Sequence, residues 1–297
     1  MRYIPRSLKR QRGRLIVTAD DFGMAAEINE AIEIAHRRGI LSAASLMVAG
    51  PAAADAVRRA KSLPDMRVGL HLTLLEEEPI LPPERIPGLV DGSGRMRGDL
   101  VRLAFGLARS ARLRAQLRLE IEAQFAAFLG TGLRLDHVNV HKHYHLHPVV
   151  GREVVALARR FGAPAVRVPL EPASVIRRVE NRKAPSATAS LVFASCASLL
   201  RSQVQHAGLR APDAVFGLTW SGKFTTDRLL GLLRHLPEGV VEIYMHPATE
   251  DRFCGSTDGY RYSDELKALC ASEVLAQIRH SRLEPTGYSD LPRITFR

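Results

Sequence analysis

Short apolar segments alternate with helical patterns along most of the chain. Residues 15–19 form an apolar, β-branched run typical of a buried strand, and residues 24–38 place apolar side chains at the spacing of an amphipathic helix. Further strands predicted in this way cover residues 43–48, 67–73, 133–141, 165–168, 214–219 and 240–245. Another helix is predicted to begin at Pro51. Further predicted helices cover residues 149–161, 184–207, 224–236 and two stretches within 264–282. This alternation predicts a parallel sheet covered by helices.

Two stretches depart from the alternation. Residues 1–13 form a basic leader that we expect to be flexible, and residues 79–98 are rich in proline and glycine before a helical pattern resumes over residues 99–130. A chain of 297 residues without an internal repeat favours one barrel-sized domain. The sequence therefore predicts an α/β fold, a single distorted TIM-like (β/α) barrel over residues 14–297, with an insertion at residues 79–130 among its inserted loops and helices.

The composition narrows the cellular setting and the partners. The formal net charge of +11 would suit an anionic partner, but aromatic residues make up only 6% of the chain and no nucleic-acid-binding motif is present, so we expect no nucleic acid partner. Cys196, Cys254 and Cys270 are odd in number and show no CxxC spacing, which is typical of a reducing compartment. No apolar run approaches the roughly 20 residues of a membrane span. We therefore expect a cytoplasmic protein.

One basic segment is compatible with contact at a membrane surface or with a second subunit. Residues 101–118 interleave five arginines with leucine and phenylalanine, a pattern that allows peripheral contact with an anionic inner-membrane surface. The same pattern is typical of a helix packed against its own barrel or against a second subunit. Peripheral membrane contact and a homodimer therefore stand beside simple packing as alternatives for this segment.

Side chains able to bind a metal fall at the ends of predicted strands. Asp20 and Asp21 end the first strand, His71 the third, His141 the fourth and His246 a late one. Because the carboxyl ends of barrel strands form one face, these residues are expected to converge. One carboxylate and two imidazoles form a facial ligand set for a divalent ion, which Asp21, His71 and His141 can supply. The sequence therefore predicts one divalent metal ion, whether Zn, Mg, Mn or another, at this rim.

The remaining residues at the rim are candidates for catalysis. Asp20 is free to act as the base, because a carboxylate that serves as a ligand is a poor base. His246 can protonate a leaving amine, and Arg167, flanked by apolar residues, can hold Asp20 ionised. Each position has a structural alternative: either aspartate can cap the helix that follows, His71 can be a buried core histidine, and Arg167 can form a surface ion pair.

Five histidines follow one another at even spacings, namely His137, His141, His143, His145 and His147. In an extended chain the last four would project to one side, a density that core packing does not require. We expect one metal ligand among them, His141, and expect others to line the substrate cleft or to support the ligands. His143 and His145 are the predicted substrate-binding residues.

Four separated motifs resemble those of the YdjC-like carbohydrate deacetylases. They are Thr18-Ala19-Asp20-Asp21-Phe22-Gly23, Gly69-Leu70-His71, the histidine cluster at residues 136–147, and Met245-His246-Pro247. The resemblance runs in order over residues 15–291 and implies a distorted β/α barrel that hydrolyses an N-acetyl group from an amino sugar. It also implies a divalent metal on the three predicted ligands and Asp20 as the base. Relatives often carry a denser histidine run than His141-Lys142-His143, a departure that bears on the charge of the cleft rather than on metal binding.

Within this family the chain is similar to the hopanoid-biosynthesis-associated HpnK branch. The similarity rests on residues 258–260 and on the tail over residues 263–266 and 288–291. It implies an N-acetylglucosaminyl hopanoid lipid as the substrate.

The predicted function is therefore metal-dependent removal of an N-acetyl group from an amino sugar or glycolipid. One alternative is another barrel metallohydrolase, a phosphoesterase or a cyclic amidohydrolase, since barrel rims host many chemistries with the same ligands. A phosphate substrate favours a glycine-rich anion cradle, and none is evident beside the metal residues. The other alternative is a non-catalytic sugar- or lipid-binding protein, against which the presence of Asp20 argues.

Overall fold

Strands and helices alternate in the computed structural model. The structure describes residues 13–180 and 187–291, and for residues 187–192 it describes the backbone but not the side chains. Within these ranges the strands are β1 (Gly13–Phe22), β2 (Ala43–Leu46), β3 (Arg67–Leu72), β4 (Leu135–Val140), β5 (Ala214–Phe216), β6 (Val240–Met245) and β7 (Leu283–Pro285). The helices are α1 (Ala26–Arg38), α2 (Ala53–Lys61), α3 (Leu100–Arg109), α4 (Ala111–Gly130), α5 (Pro148–Arg160), α6 (Ala173–Glu180), α7 (Ala187–His206), α8 (Thr226–Leu233), α9 (Tyr262–Cys270) and α10 (Ser272–His280).

Two predicted segments fall wholly or partly outside this description. The basic leader predicted for residues 1–13 lies outside the described residues apart from Gly13, which begins β1. The first three positions of the helix predicted for residues 184–207 also lie outside them, and α7 accounts for most of the remainder.

The strands form one curled parallel sheet that the helices surround. Its order is β4-β3-β2-β1-β6-β5, and the short β7 pairs with the beginning of β1. Parallel neighbours need crossover connections, and α1 and α2 supply them between β1, β2 and β3. The predicted α/β fold with a distorted TIM-like barrel is confirmed.

The predicted strand at residues 165–168 is present only as isolated pairings between β4 and β5. Arg167 N donates to Val138 O at 2.9 Å, and farther along Val215 N donates to Leu170 O at 2.9 Å. A regular ladder cannot continue here because residue 169 is a proline, which has no N–H to donate. The prediction of a regular strand was wrong, but the segment still spans the gap between the two outer strands of the sheet.

The core lies between the strands and the helices around them. After its first two residues β1 is buried throughout, and α1 packs against the sheet through Ile28, Ile32 and Ala35. These three side chains recur at the spacing of one helix face, as the sequence pattern predicts. Burial on both sides explains why the strands read as short continuous apolar runs.

The C-terminal segment closes the barrel at the end opposite the site described below. Tyr288 and Leu291 are buried against Ile16, Ala43 and Ala165, which lie near the beginnings of their strands. The interior at this end is therefore filled by side chains from the end of the chain.

The segment between β3 and β4 contains α3 and α4, as the helical pattern over residues 99–130 predicts. The buried carboxylate of Glu120 in α4 accepts hydrogen bonds from Ile80 N at 2.8 Å and from Leu81 N at 3.0 Å, which fixes the proline-rich loop. That residues 79–130 are an insertion stays a prediction. Among the described residues, no helix is both long enough and apolar enough to cross a membrane.

Candidate metal and catalytic site

Asp20 and Asp21 reach the same site because β1 is irregular at its end. In a regular strand adjacent side chains point to opposite faces of the sheet. Here the pairing of β1 with β2 shifts register between Ala19 and Phe22, and Asp21 has a φ of 62°, in the left-handed region. Bulges re-aim side chains, and strained backbone of this kind is concentrated at functional sites. The two carboxylates can therefore serve one site with different tasks.

The structure brings the three predicted metal ligands together. His71 Nε2 and His141 Nδ1 each lie 3.2 Å from Asp21 Oδ1, and the two nitrogens are 3.3 Å apart. Three ligands at about 2.1 Å from one ion would be about 3.0 Å apart at octahedral angles and about 3.4 Å apart at tetrahedral angles. The observed separations therefore fit three ligands on one side of a single ion.

The chemistry of the donor atoms also fits a cation. Asp21 Oδ1 is buried and accepts no well-aligned hydrogen bond within the described part of the chain. Burial raises the pKa of Asp21, but the neighbouring imidazoles of His141, His71 and His246 outweigh burial and hold that pKa well below its ordinary value. An ionised, buried oxygen that faces two imidazole nitrogens is suited to a divalent ion.

Asn139 orients one of the candidate ligands. It lies opposite His71 in the register of β3 and β4, and its Oδ1 accepts a hydrogen bond from His71 Nδ1 at 2.7 Å. Because the amide oxygen can only accept, the ring proton lies on Nδ1 and the lone pair of Nε2 faces the site. Asn139 Nδ2 also donates to Asp20 Oδ1 at 3.1 Å. One side chain therefore links a candidate ligand to the candidate base.

Arg167 pairs with Asp20, as the sequence analysis predicts. Its Nη1 and Nη2 donate to the two Asp20 oxygens at 2.5 and 3.0 Å, and its Nη2 also donates to Glu242 Oε1 at 2.6 Å. Arg167 is fully buried, so the alternative of a surface ion pair is wrong. Burial raises the pKa of Asp20, but the charge and the hydrogen bonds of Arg167 lower it well below the ordinary value. Asp20 is therefore held as an ionised carboxylate inside the protein.

His246 lies beside the candidate ligands. Its Nε2 is 4.0 Å from Asp21 Oδ2, and its side chain is mostly buried. Burial lowers the pKa of His246, and the carboxylates of Asp21 and Asp20 oppose this effect only in part. The backbone N–H of His246 donates to Glu265 at 2.5 Å, and burial raises the pKa of that carboxyl to about 8. The end of β6 is thus tied to α9.

The histidine cluster does not continue in extended form, contrary to the prediction. His141–Leu146 forms a tight 3-10 turn, and Lys142 and His143 both have a φ of 54°. Alternate residues in such a turn do not share a side, so only His141 reaches Asp21. Lys142 forms an ion pair with the carboxylate of Glu76, which offsets its charge at the rim.

The two predicted substrate-binding histidines differ in their surroundings. His143 is partly buried, and its Nε2 hydrogen-bonds the hydroxyl of Tyr244 at 2.9 Å. His145 is fully buried, with Nε2 hydrogen-bonded to the Arg167 carbonyl at 2.9 Å. His145 therefore supports the backbone of Arg167 and offers no exposed surface to a sugar, which corrects its predicted role. Substrate contact by His143 stays a prediction.

Neither aspartate caps the helix that follows, so that structural alternative is also wrong. The residue before α1 is Ala25, which makes no side-chain cap, and Asn29 instead accepts a hydrogen bond from Gly23 N at 2.8 Å. Gly23 has a φ of 97°, and a Cβ there would lie 2.9 Å from Met47 O. The glycine of the Asp-Asp-Phe-Gly motif is therefore needed for this turn.

Three functional candidates were not singled out from the sequence. They are Asn139, Glu242 and Tyr288, all of them fully buried. The available signal was a polar residue inside an otherwise apolar strand, as in Val138-Asn139-Val140 and Val241-Glu242-Ile243. Such residues must find partners inside the protein, and here those partners lead to Asp20.

A small cleft lies on the same face as the candidate ligands. It has a volume of about 120 Å³, and residues after β2 and β3 line it, including Met47, Thr73 and Glu77. A larger cavity of about 390 Å³ lies at the other ends of the strands, and no candidate ligand lines either cavity.

Comparison with known proteins gives consistent matches over nearly the whole chain. A carbohydrate deacetylase from Brevibacillus brevis is 29% identical over 281 residues, which cover 94% of this chain and 99% of that protein. A carbohydrate deacetylase from Thermoanaerobacter pseudethanolicus is 27% identical over 279 residues, which cover 93% of this chain and 98% of that protein.

A solved structure and a family model agree with these matches. A crystal structure from Enterococcus faecalis V583, of a protein proposed by its name to cleave cellobiose phosphate, has a TM-score of 0.74 at 25% identity and covers 94% of this chain and 98% of its own. The model of the YdjC-like protein family matches residues 14–280. The chain therefore belongs to the family of YdjC-like proteins.

Proposed function

We propose that this protein is a metal-dependent hydrolase that removes the N-acetyl group from an amino sugar. The observation that carries the proposal is a three-donor site for a divalent ion beside a separate, buried and ionised carboxylate, Asp20. Metal-dependent hydrolysis of an unactivated amide uses both features, because the ion polarises the carbonyl while a base removes a proton from the attacking water. The names of the two bacterial relatives support an acetylated carbohydrate as the substrate class.

The residues of the site have distinct tasks in this reaction. A divalent ion held by Asp21, His71 and His141 would polarise the acetamide carbonyl and lower the pKa of water. Asp20 takes the proton from the attacking water. His246 gives a proton to the amide nitrogen as the C–N bond breaks, so that acetate and a free amino sugar leave. Because burial lowers the pKa of His246, its ring gives up a proton readily once it is protonated.

The site suits an amide better than a phosphate ester. Arg167 is fully buried, and its guanidinium is engaged by Asp20 and Glu242, so it is not free to bind a phosphate. Lys142 at the rim is paired with Glu76. A catalytically silent binding protein would have no use for an arginine that keeps Asp20 ionised at the cost of burying both charges.

A panel of substrates tests the proposal directly. The protein loaded with a divalent metal would be incubated with N-acetylated amino sugars, O-acetylated sugars, phosphomonoesters and cyclic amides. We expect equimolar acetate and free amine from an N-acetylated sugar and loss of that activity with a chelator. Phosphate release, ring opening of a cyclic amide, or no acetate from any N-acetylated sugar would contradict the proposal.

Replacement of His246 by alanine is expected to lower amide hydrolysis by about 100-fold, the lower end of the usual range for loss of a proton donor. An acetyl ester with an acidic phenol as its leaving group needs no proton and should lose much less activity. The measurement is the turnover number of the wild type and of His246→Ala on both substrates. Equal losses on the amide and on the ester would show that His246 does not act as the acid.

For the finer identity we propose the HpnK-like branch and a lipid-linked amino sugar, an N-acetylglucosaminyl hopanoid. Supporting this proposal, α3 exposes Val101 and Phe105 with 70% and 58% of their surfaces accessible. Between Asp99 and Glu120 the chain has no acidic residue, and Arg109 stacks over Phe105 at 5.2 Å from the ring centroid.

The position of α3 relative to the rim fits this substrate. Burial and the nearby charge of Asp99 raise the pKa of Tyr144, which lies in the turn after His141. The beginning of α3 therefore lies near the turn that follows His141. An apolar and cationic surface beside the rim would hold the site against an anionic bilayer, where a lipid-linked sugar is presented.

Vesicle flotation tests the membrane contact. At low salt the wild type is expected to float with phosphatidylglycerol-containing vesicles, and Arg109→Gln with Arg112→Gln should weaken binding roughly thirtyfold, at about 1 kcal/mol for each basic residue. Arg177→Gln with Arg178→Gln removes the same charge from exposed positions on α6 and is the matched control. Absence of wild-type binding, or equal effects of the two double variants, would exclude this role for α3.

A further inference from the structure

We propose that Tyr288, in the C-terminal segment, is a positioning residue for the candidate base Asp20 and acts through Glu242 and Arg167. The inference rests on the proposed function, because it assigns Tyr288 a part in proton removal by Asp20. Tyr288 lies far along the chain from the three candidate metal ligands and from Asp20.

A first chain of contacts runs from Tyr288 to Asp20 inside the barrel. The Tyr288 hydroxyl donates to Glu242 Oε2, and Glu242 Oε1 accepts from Thr18 Oγ1 at 2.8 Å. Glu242 in turn accepts from Arg167 Nη2 at 2.6 Å and from its Nε at 3.0 and 3.1 Å. Every member of this chain is 2% exposed or less. The carboxylate of Glu242 therefore has little freedom to move, and neither has the guanidinium that it holds.

The guanidinium of Arg167 determines how Asp20 is oriented. Two of its nitrogens bind the two oxygens of Asp20, and its Cζ lies over the ring of Tyr244 at 4.6 Å from the centroid. A fork that binds both oxygens fixes the rotation of a carboxylate as well as its charge. Removal of the Tyr288 hydroxyl, which donates to Glu242, is therefore expected to make the orientation of Asp20 less fixed without altering a candidate metal ligand.

A second chain of contacts reaches Asp20 from the same segment. The backbone N–H groups of Tyr288 and Ser289 donate to Asp136 at 3.2 and 2.8 Å, and Asp136 pairs with His137 Nδ1 at 2.9 Å. His137 Nε2 hydrogen-bonds Ser45 at 3.0 Å, and Ser45 accepts from Asn139, which also donates to Asp20. The ring of Tyr288 stacks on that of His137 at 4.4 Å between centroids. The C-terminal segment thus takes part in both chains of contacts that end at Asp20.

Tyr288→Phe removes the hydroxyl and keeps the ring and the backbone contacts. Ser198→Ala is the control, because Ser198 is exposed on α7, and the hydroxyl that this substitution removes donates to the carbonyl of Ala194 at 2.8 Å, outside both chains of contacts. With an N-acetylated sugar that the wild type hydrolyses, we expect Tyr288→Phe to lower kcat by about tenfold, the lower end of the loss caused by removing a residue that supports a site residue. KM should change less than about twofold, metal content should be unchanged, and Ser198→Ala should match the wild type.

A double-mutant cycle separates positioning of the base from general damage to the fold. If Tyr288 acts through Asp20, Tyr288→Phe has no further effect in an Asp20→Asn background. Wild-type kcat in Tyr288→Phe, or the same loss in both backgrounds, would overturn the inference. Should Tyr288→Phe fail to fold, Glu242→Gln is judged by the same criteria. A wild type without any deacetylase activity would instead refute the proposed function.

Discussion

Replacement of His71 or His141 by alanine is expected to abolish tight metal binding and to lower acetate release by more than about 100-fold. Loss of a residue that only hydrogen-bonds a metal ligand already lowers metal affinity or activity by about 10–100-fold. Each histidine supplies one of three donors that lie within 3.3 Å of one another. Two remaining donors do not hold a divalent ion against a chelator. The measurement is metal content after dialysis against a competing chelator, together with turnover on an N-acetylated sugar.

A histidine of similar chemistry outside the site controls for nonspecific effects. His235 is exposed, and its ring hydrogen-bonds only the carbonyl of Gly231 among the contacts described. His235→Ala should therefore keep full metal content and turnover. Full metal content in both His71→Ala and His141→Ala would show that the ligands lie elsewhere.

Replacement of Asp20 by asparagine is expected to lower turnover by about 100-fold or more, the usual scale for loss of a general base, while metal content stays at the wild-type level. Asparagine has the shape of aspartate, and Arg167 keeps Glu242 as its partner. The loss should appear in kcat more than in KM, because the base acts only when water attacks. Kinetics and metal analysis of the same preparation provide the test.

An exposed aspartate at the other end of the barrel serves as the control. Asp65 precedes β3 and lies among the residues of the larger cavity, away from the candidate ligands. Asp65→Asn should therefore leave turnover unchanged. Near-normal turnover of Asp20→Asn would exclude Asp20 as the base, and loss of its metal would place Asp20 among the ligands.

The location of the site could be predicted from the sequence because strand ends are easy to recognise. Short apolar runs end in Asp20-Asp21, His71, His141 and His246. Because the parallel strands of a barrel share a direction, this pattern is enough to place these residues on one face. The alternation around Arg167 likewise predicts a side chain directed inward. These inferences depend only on local pattern and on the geometry common to all such barrels.

The orientation of the side chains could not be predicted, because it depends on departures from regular geometry. The register shift and the left-handed Asp21 at the end of β1 direct Asp20 and Asp21 to one site, whereas a regular strand would separate them. The tight turn after β4 separates the histidines that an extended chain would align. Neither departure leaves a mark in the hydrophobic pattern.

The supports of the base depend on contacts between distant parts of the chain. His71 meets Asn139 only because β3 and β4 pair in one register, and Glu242 meets Tyr288 only because the C-terminal segment enters the barrel. A single sequence shows that Asn139 and Glu242 are polar residues within apolar strands. It does not show which partners satisfy them, since that requires the packed structure.

Reconstitution of the metal-free protein shows whether deacetylation depends on one divalent ion held by Asp21, His71 and His141. The chelated protein is titrated with a divalent metal while bound metal and acetate release from an N-acetylated amino sugar are measured together. Acetate release is expected to rise in proportion to bound metal and to reach its maximum at one ion per chain, with no such rise in His71→Ala. Undiminished acetate release by the metal-free protein, or full recovery of His71→Ala at the same metal concentration, would exclude this metal site.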